Sequence, residues 1–305
     1  MASGPKLGAS EPRLIAIDWG TSRFRAYLVE SSGAILKEVA SDEGMAAVRE
    51  GRFAAILLAR CGPWLERYPD LPVLMSGMVG SRNGWKEAPY VPCPASLEGI
   101  RKAIQTIEIN EGRFGGIVPG LIYRDEGVAD VIRGEETKIL GTGGEDGLIV
   151  MPGTHCKWAW IEEGKIARFQ SYMTGELYGL LRQSSVLRLL AHEPENSSGF
   201  GRGLDAARRR GGLLHQAFVA RTAVLDGQMT GEEVGPFLSG LLIAHEIAGA
   251  GKDMREGSRL KLVAEGVLAQ NYEKAFKSFG FEPQMVSPRE CFVKGMLRLS
   301  SVSAG

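Results

Sequence analysis

Cysteine and histidine are scarce and scattered in this chain. The four cysteines, Cys61, Cys93, Cys156 and Cys291, lie far apart with no C-x-x-C pair, so neither a zinc site nor a disulfide framework is indicated. The four histidines form no H-E-x-x-H or comparable spacing, and no histidine metal centre is expected. An excess of one charge is also missing. Lys and Arg together number 36, as do Asp and Glu, which speaks against nucleic acid as a partner. A membrane span needs roughly 18 apolar residues. The most apolar stretch, FLSGLLIAHEIAGAG at 237 to 251, is broken by His245 and Glu246. The opening MASGPKLGASEP has no apolar run of the kind a signal peptide carries, and residues 1 to 11 read as a disordered lead-in. A cytoplasmic protein with reduced thiols is the expectation.

What is present is ordinary for a soluble globular protein: 305 residues, 44% hydrophobic and 24% charged. That length suits one large or two medium α/β domains. LIAID at 14 to 18 is an apolar run ending on a charge, and FRAYLVE at 24 to 30 alternates, so the two read as strands joined by a turn at Gly20-Thr21-Ser22. Residues 34 to 40 read as a third strand, and 53 to 68 as a helix that Pro63 should bend or break. Residues 128 to 141 read as a helix stopped by Gly141. The acidic, glycine-rich 142 to 147 marks a boundary, giving domains at 12–145 and 146–305. Beyond it, LIVMPGTHCKWAWIE repeats the form of IAIDWGTSRFRAYLV: an apolar strand, two residues, Gly-Thr, then an alternating strand. Such an echo is what a duplicated supersecondary unit leaves, although two short segments can also match by chance.

Several segments could carry chemistry. In Asp18-Trp19-Gly20-Thr21-Ser22, backbone N–H groups and hydroxyls lie close together without bulk, which suits phosphate oxygens. Asp18 could hold a hydrated Mg2+. The competing reading is a polar turn that satisfies its own backbone. Gly153-Thr154-His155 offers a second such turn, or a surface hairpin with Cys156 and Trp158 as core and His155 and Lys157 in water. Arg133-Gly134-Glu135-Glu136-Thr137 opens a helix, with Asp130 just before it. A carboxylate there could take a hydroxyl proton, and Arg133 could grip substrate or phosphate oxygens. Equally, the acids could simply complement the helix dipole. Neighbours on a helix point about 100° apart, so at most one of Glu135 and Glu136 can be the base. The loop from Ser76 to Trp85, with Gly80, Ser81, Arg82 and Asn83 in it, sets small residues beside charge and aromatic surface, or is an ordinary exposed loop. Met173 to Tyr178 could line a cleft, or Thr174 could be a helix N-cap. His245 reads as a satisfied histidine in a core helix.

Taken in order, these segments resemble a known family. IAIDWGTSRFRAYLV is similar to the first phosphate motif of the sugar kinase, heat-shock ATPase and actin superfamily. VLMSGMVGSRNGWKEAPYVPCPA, VIRGEETKILG, VMPGTHCKW and MTGELY resemble the bacterial 2-dehydro-3-deoxygalactonokinases, from about Ile15 to Leu299. The resemblance implies an α/β fold of two ribonuclease-H-like, actin-like ATPase domains, each a mixed five-stranded sheet flanked by helices, with an inter-domain cleft. It implies ATP and Mg2+ as cofactors and a small sugar acid as substrate. Assembly as a homodimer is one option. By the same resemblance Asp18, Gly20, Thr21 and Ser22 would handle Mg2+ and phosphates, with Asp18 the metal ligand. Gly153, Thr154 and His155 would form the second phosphate turn, and Ala264, Glu265 and Gly266 would meet the adenosine. Substrate would meet Trp19, Gly80, Ser81, Asn83 and Trp85, with Arg25 or Arg82 for its carboxylate and Arg133 as a further substrate contact. Glu135 is the expected base, with Asp130 next.

Overall fold

The computed structural model describes residues 11–49, 51–193, 197–254 and 259–300. The expected lead-in therefore lies, but for Glu11, outside the described residues.

The chain starts with strands β1 (Pro12–Trp19), β2 (Phe24–Glu30) and β3 (Ile35–Ser41), then helix α1 (Phe53–Arg67), strand β4 (Val73–Ser76), the short β5 (Val91–Pro92) and helix α2 (Leu97–Lys102). Strands β6 (Gln105–Asn110), β7 (Arg113–Ile117), β8 (Leu121–Asp125) and β9 (Val128–Ile132) follow, and helix α3 (Glu135–Gly141) closes this stretch. Next come β10 (Gly147–Met151), β11 (Cys156–Glu162) and β12 (Lys165–Tyr172), then α4 (Thr174–Ser184), α5 (Ser198–Ala207), α6 (Gly212–Leu225) and α7 (Gly231–Ala250). The chain ends through β13 (Leu260–Val263), α8 (Gly266–Ser278), β14 (Gln284–Val286) and α9 (Pro288–Ser300).

Two compact units result. Among the described residues, the first holds those up to 144, 164–166 and those from 289 on, and the second holds 145–163 and those from 167 to 288. The sequence reading put everything after 145 in the second domain, whereas α9 belongs to the first. Small residues explain that return. A Cβ on Gly295 of α9 would lie 1.8 Å from the Thr137 carbonyl oxygen, and one on Gly141 of α3 would lie 1.7 Å from that of Cys291. The two helices thus touch backbone to backbone, which no side chain at those positions would permit.

In the first unit the sheet order is β3-β2-β1-β4-β7-β6, six strands rather than the five expected; in the second it is β12-β11-β10-β13-β14. The extra strand β6 is an antiparallel edge on β7. A small third sheet, β5-β8-β9, completes the set. Helix α1 covers one face of the first sheet, where Phe53, Leu57, Cys61, Trp64 and Leu65 share a core with Ile15, Ile17, Trp19 and Phe24. On α9, Phe292 meets Tyr27 with ring centroids 5.8 Å apart. Pro63 does not break α1. It is exposed, so its missing N–H leaves a carbonyl that water can reach, while Cys61, Trp64 and Leu65 stay anchored in the core.

The echo between the halves is structural. Strand β1 pairs antiparallel with β2 and parallel with β4, and β10 pairs antiparallel with β11 and parallel with β13. Each Gly-Thr turn therefore joins the same two strands of its own sheet. Residues 128 to 141 are not one helix. Glu126 and Gly127 both have positive φ, 46° and 82°, and turn β8 into β9 as a tight hairpin before the helix starts at Glu135.

Candidate active site

Strands β1 and β4 run parallel with Asp18 opposite Ser76, so their carboxyl ends lie side by side. Beyond Trp19 the chain turns with the Gly20 N–H donating to the Arg23 carbonyl at 3.0 Å. The turn is braced from Gly44-Met45-Ala46: the Met45 and Ala46 N–H groups donate to the carbonyls of Gly20 and Thr21 at 3.0 and 2.9 Å. Gly44 is packed so closely that a Cβ would sit 2.3 Å from the Arg23 nitrogen. Thr21 and Ser22 remain exposed, free to meet a ligand.

The glycine loop after β4 presses on the same place. Gly77, at φ +99°, would put a Cβ 2.8 Å from the Trp19 carbonyl oxygen, and Gly134, at φ +105°, would put one 3.3 Å from the Gly77 Cα. Three backbones thus converge at the ends of β1 and β4 and the start of α3. The structure brings together Asp18, Gly20 to Ser22, the 77–80 loop and Arg133 to Glu136.

The acidic residues of that helix start have different fates. Glu136 is fully buried, accepting from the Ser76 hydroxyl at 3.2 Å and the Gly134 N–H at 2.6 Å. Burial, reinforced by the charge of Glu135, pushes its carboxyl up to about 7. Glu135 is half-buried and accepts the Arg133 N–H at 3.0 Å. Asp130, expected near a helix start, instead lies on β9 and accepts the Val131 N–H at 2.7 Å.

Arg133 is the other conspicuous group. Its guanidinium lies 4.4 Å from the centroid of the Tyr90 ring, and Nη2 donates to the Ala88 carbonyl at 3.0 Å. Among the described residues, its Nε and Nη1 are buried without a hydrogen-bond partner. A side chain on Gly80 would come within 3.0 Å of Nη1, so glycine there lets the guanidinium pack against the loop. Arg25 pairs with Asp18 at 3.5 Å across the β1–β2 register. In the loop Ser81 is half-buried, and Arg82 and Asn83 are exposed. Trp85 is half-buried and stacks on Phe53 with ring centroids 6.0 Å apart.

Trp19 is a correction. The expectation was a wall of the substrate site; the residue is 0% exposed, edge-on to Phe24 and Phe53, with its indole N–H donating to the Glu43 carbonyl at 2.9 Å. Strand alternation turns Trp19 toward α1, opposite in sense to Asp18.

In the second unit, Gly153-Thr154-His155 leads from β10 into β11. The start of α4 is seated on this turn: the Glu176 N–H donates to the Thr154 carbonyl at 2.9 Å, and the Glu176 carboxylate meets His155 Nε2 at 2.6 Å. A Cβ on Gly175 would fall 2.3 Å from the Gly153 carbonyl oxygen. Lys157 does not face water, being 7% exposed with Nζ donating to Ser171 Oγ at 2.7 Å. Thr174 is not an N-cap; its hydroxyl donates to Glu246. Glu246, 3% exposed, also accepts from the Trp158 indole and the Tyr272 hydroxyl, each at 2.8 Å. Burial and this carboxylate raise the Cys156 thiol and Tyr272 phenol well above their ordinary ranges.

A cavity of about 430 Å³ opens beside the turn, with Gly153, Thr174 and Gly175 at its edge and helices α7 and α8 as walls. Ala264, Glu265 and Gly266 do not line it. The lining from α8 starts at Val267 and continues through Leu268, Asn271 and Tyr272, one residue beyond the helix start at Gly266. Sequence reasoning missed Gly44, Glu246 and Asn271. The signal for Glu246 was a carboxylate inside an apolar helix, where an acid needs donors to be kept.

The chain is a mixed α/β protein in which each unit wires its Gly-Thr turn into its own sheet in the same way. The activator of 2-hydroxyisocaproyl-CoA dehydratase from Clostridium difficile, solved with bound ADPNP, shares this fold at a TM-score of 0.50 and 9% identity, covering 93% of this chain and 92% of that one. Residues 18–299 match the family model for 2-keto-3-deoxy-galactonokinase, and the chain belongs to that family of kinases. It is 34% identical over 295 residues to the 2-dehydro-3-deoxygalactonokinase of Escherichia coli K12, covering 96% of this chain and 99% of the relative. A crystal structure from Sinorhizobium meliloti, assigned as a 2-dehydro-3-deoxygalactonokinase, superposes with a TM-score of 0.83 at 32% identity, over 93% of this chain and 96% of that one. Among the described residues, no helix is long and apolar enough to cross a membrane.

Proposed function

We propose that this kinase transfers the terminal phosphoryl group of ATP to the 6-hydroxyl of 2-dehydro-3-deoxy-D-galactonate, giving the 6-phosphate used in galactonate breakdown, in the cytoplasm. The observation that carries the acidic-sugar part of this reading is Arg133. A buried guanidinium whose Nε and Nη1 lack partners among the described residues, beside Gly80, is a source of charged N–H donors for the anionic oxygens of a sugar acid. Ser81, Arg82, Asn83 and Trp85 would complete the sugar side of the site, with Trp85 offering the aromatic edge once assigned to Trp19.

The donor set fits a phosphate-bound Mg2+. Asp18 offers one carboxylate at a strand end, and among the described residues no group of three or more His, Cys, Asp or Glu side chains could cage a metal. A cation held chiefly by phosphate oxygens and water needs no more than one or two protein carboxylates. When bound, it would neutralise charge on the phosphates. Gly20, Thr21 and Ser22 would present backbone and hydroxyl donors to the phosphates, as would Gly153, Thr154 and His155 on the second turn. The apolar cavity beside that second turn suits the adenosine, its volume lying in the range of small-molecule sites.

Glu135 is the proposed base, because it is partly accessible where Glu136 is sealed behind Ser76. A positioned base typically contributes about 10²–10⁴-fold. Replacing Glu135 by Gln is expected to lower kcat within that range while ATP still binds; near-normal kcat would remove Glu135 from the role. The reaction itself is tested by product structure. Phosphorus coupling to C6 in the NMR spectrum is expected with the galactonate derivative, with slower turnover of the gluconate epimer. Phosphate at another carbon, or preference for the epimer, would refute the proposal.

A further inference from the structure

The cavity walls in the second unit are largely hydrocarbon, with Phe200 of α5, Leu242 and Ile243 of α7, and Leu268 of α8 among them. Two polar side chains interrupt them. Ser239 stands three residues before Leu242, and Asn271 stands three after Leu268, so helical spacing puts each on the cavity face of its helix. Among the described residues neither side chain has a hydrogen-bond partner within the protein. Polar groups in an apolar pocket are costly unless something pairs them. In sites of this kind, a few polar groups set the orientation and choice of ligand.

A carboxamide is unusual among side chains in offering a donor and an acceptor side by side. The matching edge on a nucleobase is the 6-amino donor next to the N7 acceptor of adenine; guanine shows two acceptors at the same place. We propose that Asn271, with Ser239 as a second polar contact, reads the base of the phosphoryl donor through the 6-amino edge of adenine. This rests on the reading of the cavity as the nucleotide site. It adds a specificity-determining residue to that reading and explains why a half-buried amide is kept in a hydrocarbon wall.

Three proteins test it: the unsubstituted enzyme, Asn271→Leu, which keeps the branched shape without the amide, and Ser239→Trp, which fills the cavity. Steady-state kcat/KM is measured with ATP and with the triphosphate of purine riboside, which lacks the 6-amino group. In the unsubstituted enzyme, loss of the amino group is expected to cost about 10-fold or more, since one bidentate base contact is typically worth about 10–100-fold. In Asn271→Leu the two donors should become nearly equivalent, with KM for the sugar acid unchanged. An equal penalty in both proteins, with Ser239→Trp raising KM for ATP, would overturn the role of Asn271 and leave the nucleotide cavity standing. An unchanged KM for ATP in Ser239→Trp would overturn both.

Discussion

Glu136 and Glu246 are interior carboxylates that, among the described residues, form no salt bridge, and each imposes its own cost. Glu136 has a folded-state pKa of about 7, raised above its usual 4.5. Between those values the folded state holds a proton that the unfolded chain has released, so folding stability falls as pH rises through this window. Replacement by Gln removes the titration. Urea unfolding at pH 5 and pH 8 should show Glu136→Gln gaining on the unsubstituted protein by up to about 3 kcal/mol at the higher pH; an identical pH response would contradict the burial argument. Glu246 accepts from Trp158, Thr174 and Tyr272, and Ala in its place would strand all three donors. Leaving a buried donor unsatisfied costs about 1–3 kcal/mol. Denaturation midpoints should place Glu246→Ala well below Glu246→Gln, which retains one acceptor; equal midpoints would mean that the donors find other partners. Neither residue's role was visible in sequence. RGEET showed two acids of equal promise, and only the Ser76 hydroxyl behind one of them separates the sealed Glu136 from the accessible Glu135. Trp19 misled for a related reason: its neighbours in sequence are turn residues, but its strand face belongs to the core.

At the scale of elements, both turns depend on glycine where another backbone presses on them. Gly175 is the sharpest case, since a Cβ there would collide with the Gly153 carbonyl and lift α4 off the second turn. Gly175→Ala is expected to raise KM for ATP about tenfold or more, as misplacing groups by about 1 Å commonly costs far more than a contact. Gly179, one turn further along α4, has nothing within 4 Å of its would-be Cβ. Gly179→Ala should leave KM alone and stabilise by about 0.5–1 kcal/mol, the ordinary gain of Ala over Gly within a helix. Similar behaviour of the two variants, in ATP titrations and thermal melts, would show that the seat of α4 does not matter. Strands β1, β2, β3, β4, β10 and β11 were legible from apolar runs and alternation. Strand β9 was not, because VADVIRGEETKILG carries helical spacing throughout, and the deciding feature is the positive φ of Glu126 and Gly127 just before it.

For the molecule as a whole, duplication was readable and the path of the chain was not. The repeated strand, Gly-Thr turn and strand announced two like-wired sheets. Nothing in PRECFVKGMLRLS said that α9 returns to the first unit, since its glycines gain meaning only against Thr137 and Cys291. Gly295→Val should therefore lower the yield of folded protein even though it lies far along the chain from either Gly-Thr turn; a normal melting temperature would contradict that packing.

The central claim is that ATP is spent on a sugar acid. It is tested most directly by following ADP formation with ATP and Mg2+, in the presence and absence of 2-dehydro-3-deoxy-D-galactonate. The account predicts ADP release that requires both the sugar acid and the metal, with one phosphate appearing on the sugar for each ADP formed. ATP turnover at the same rate without the sugar acid would contradict it.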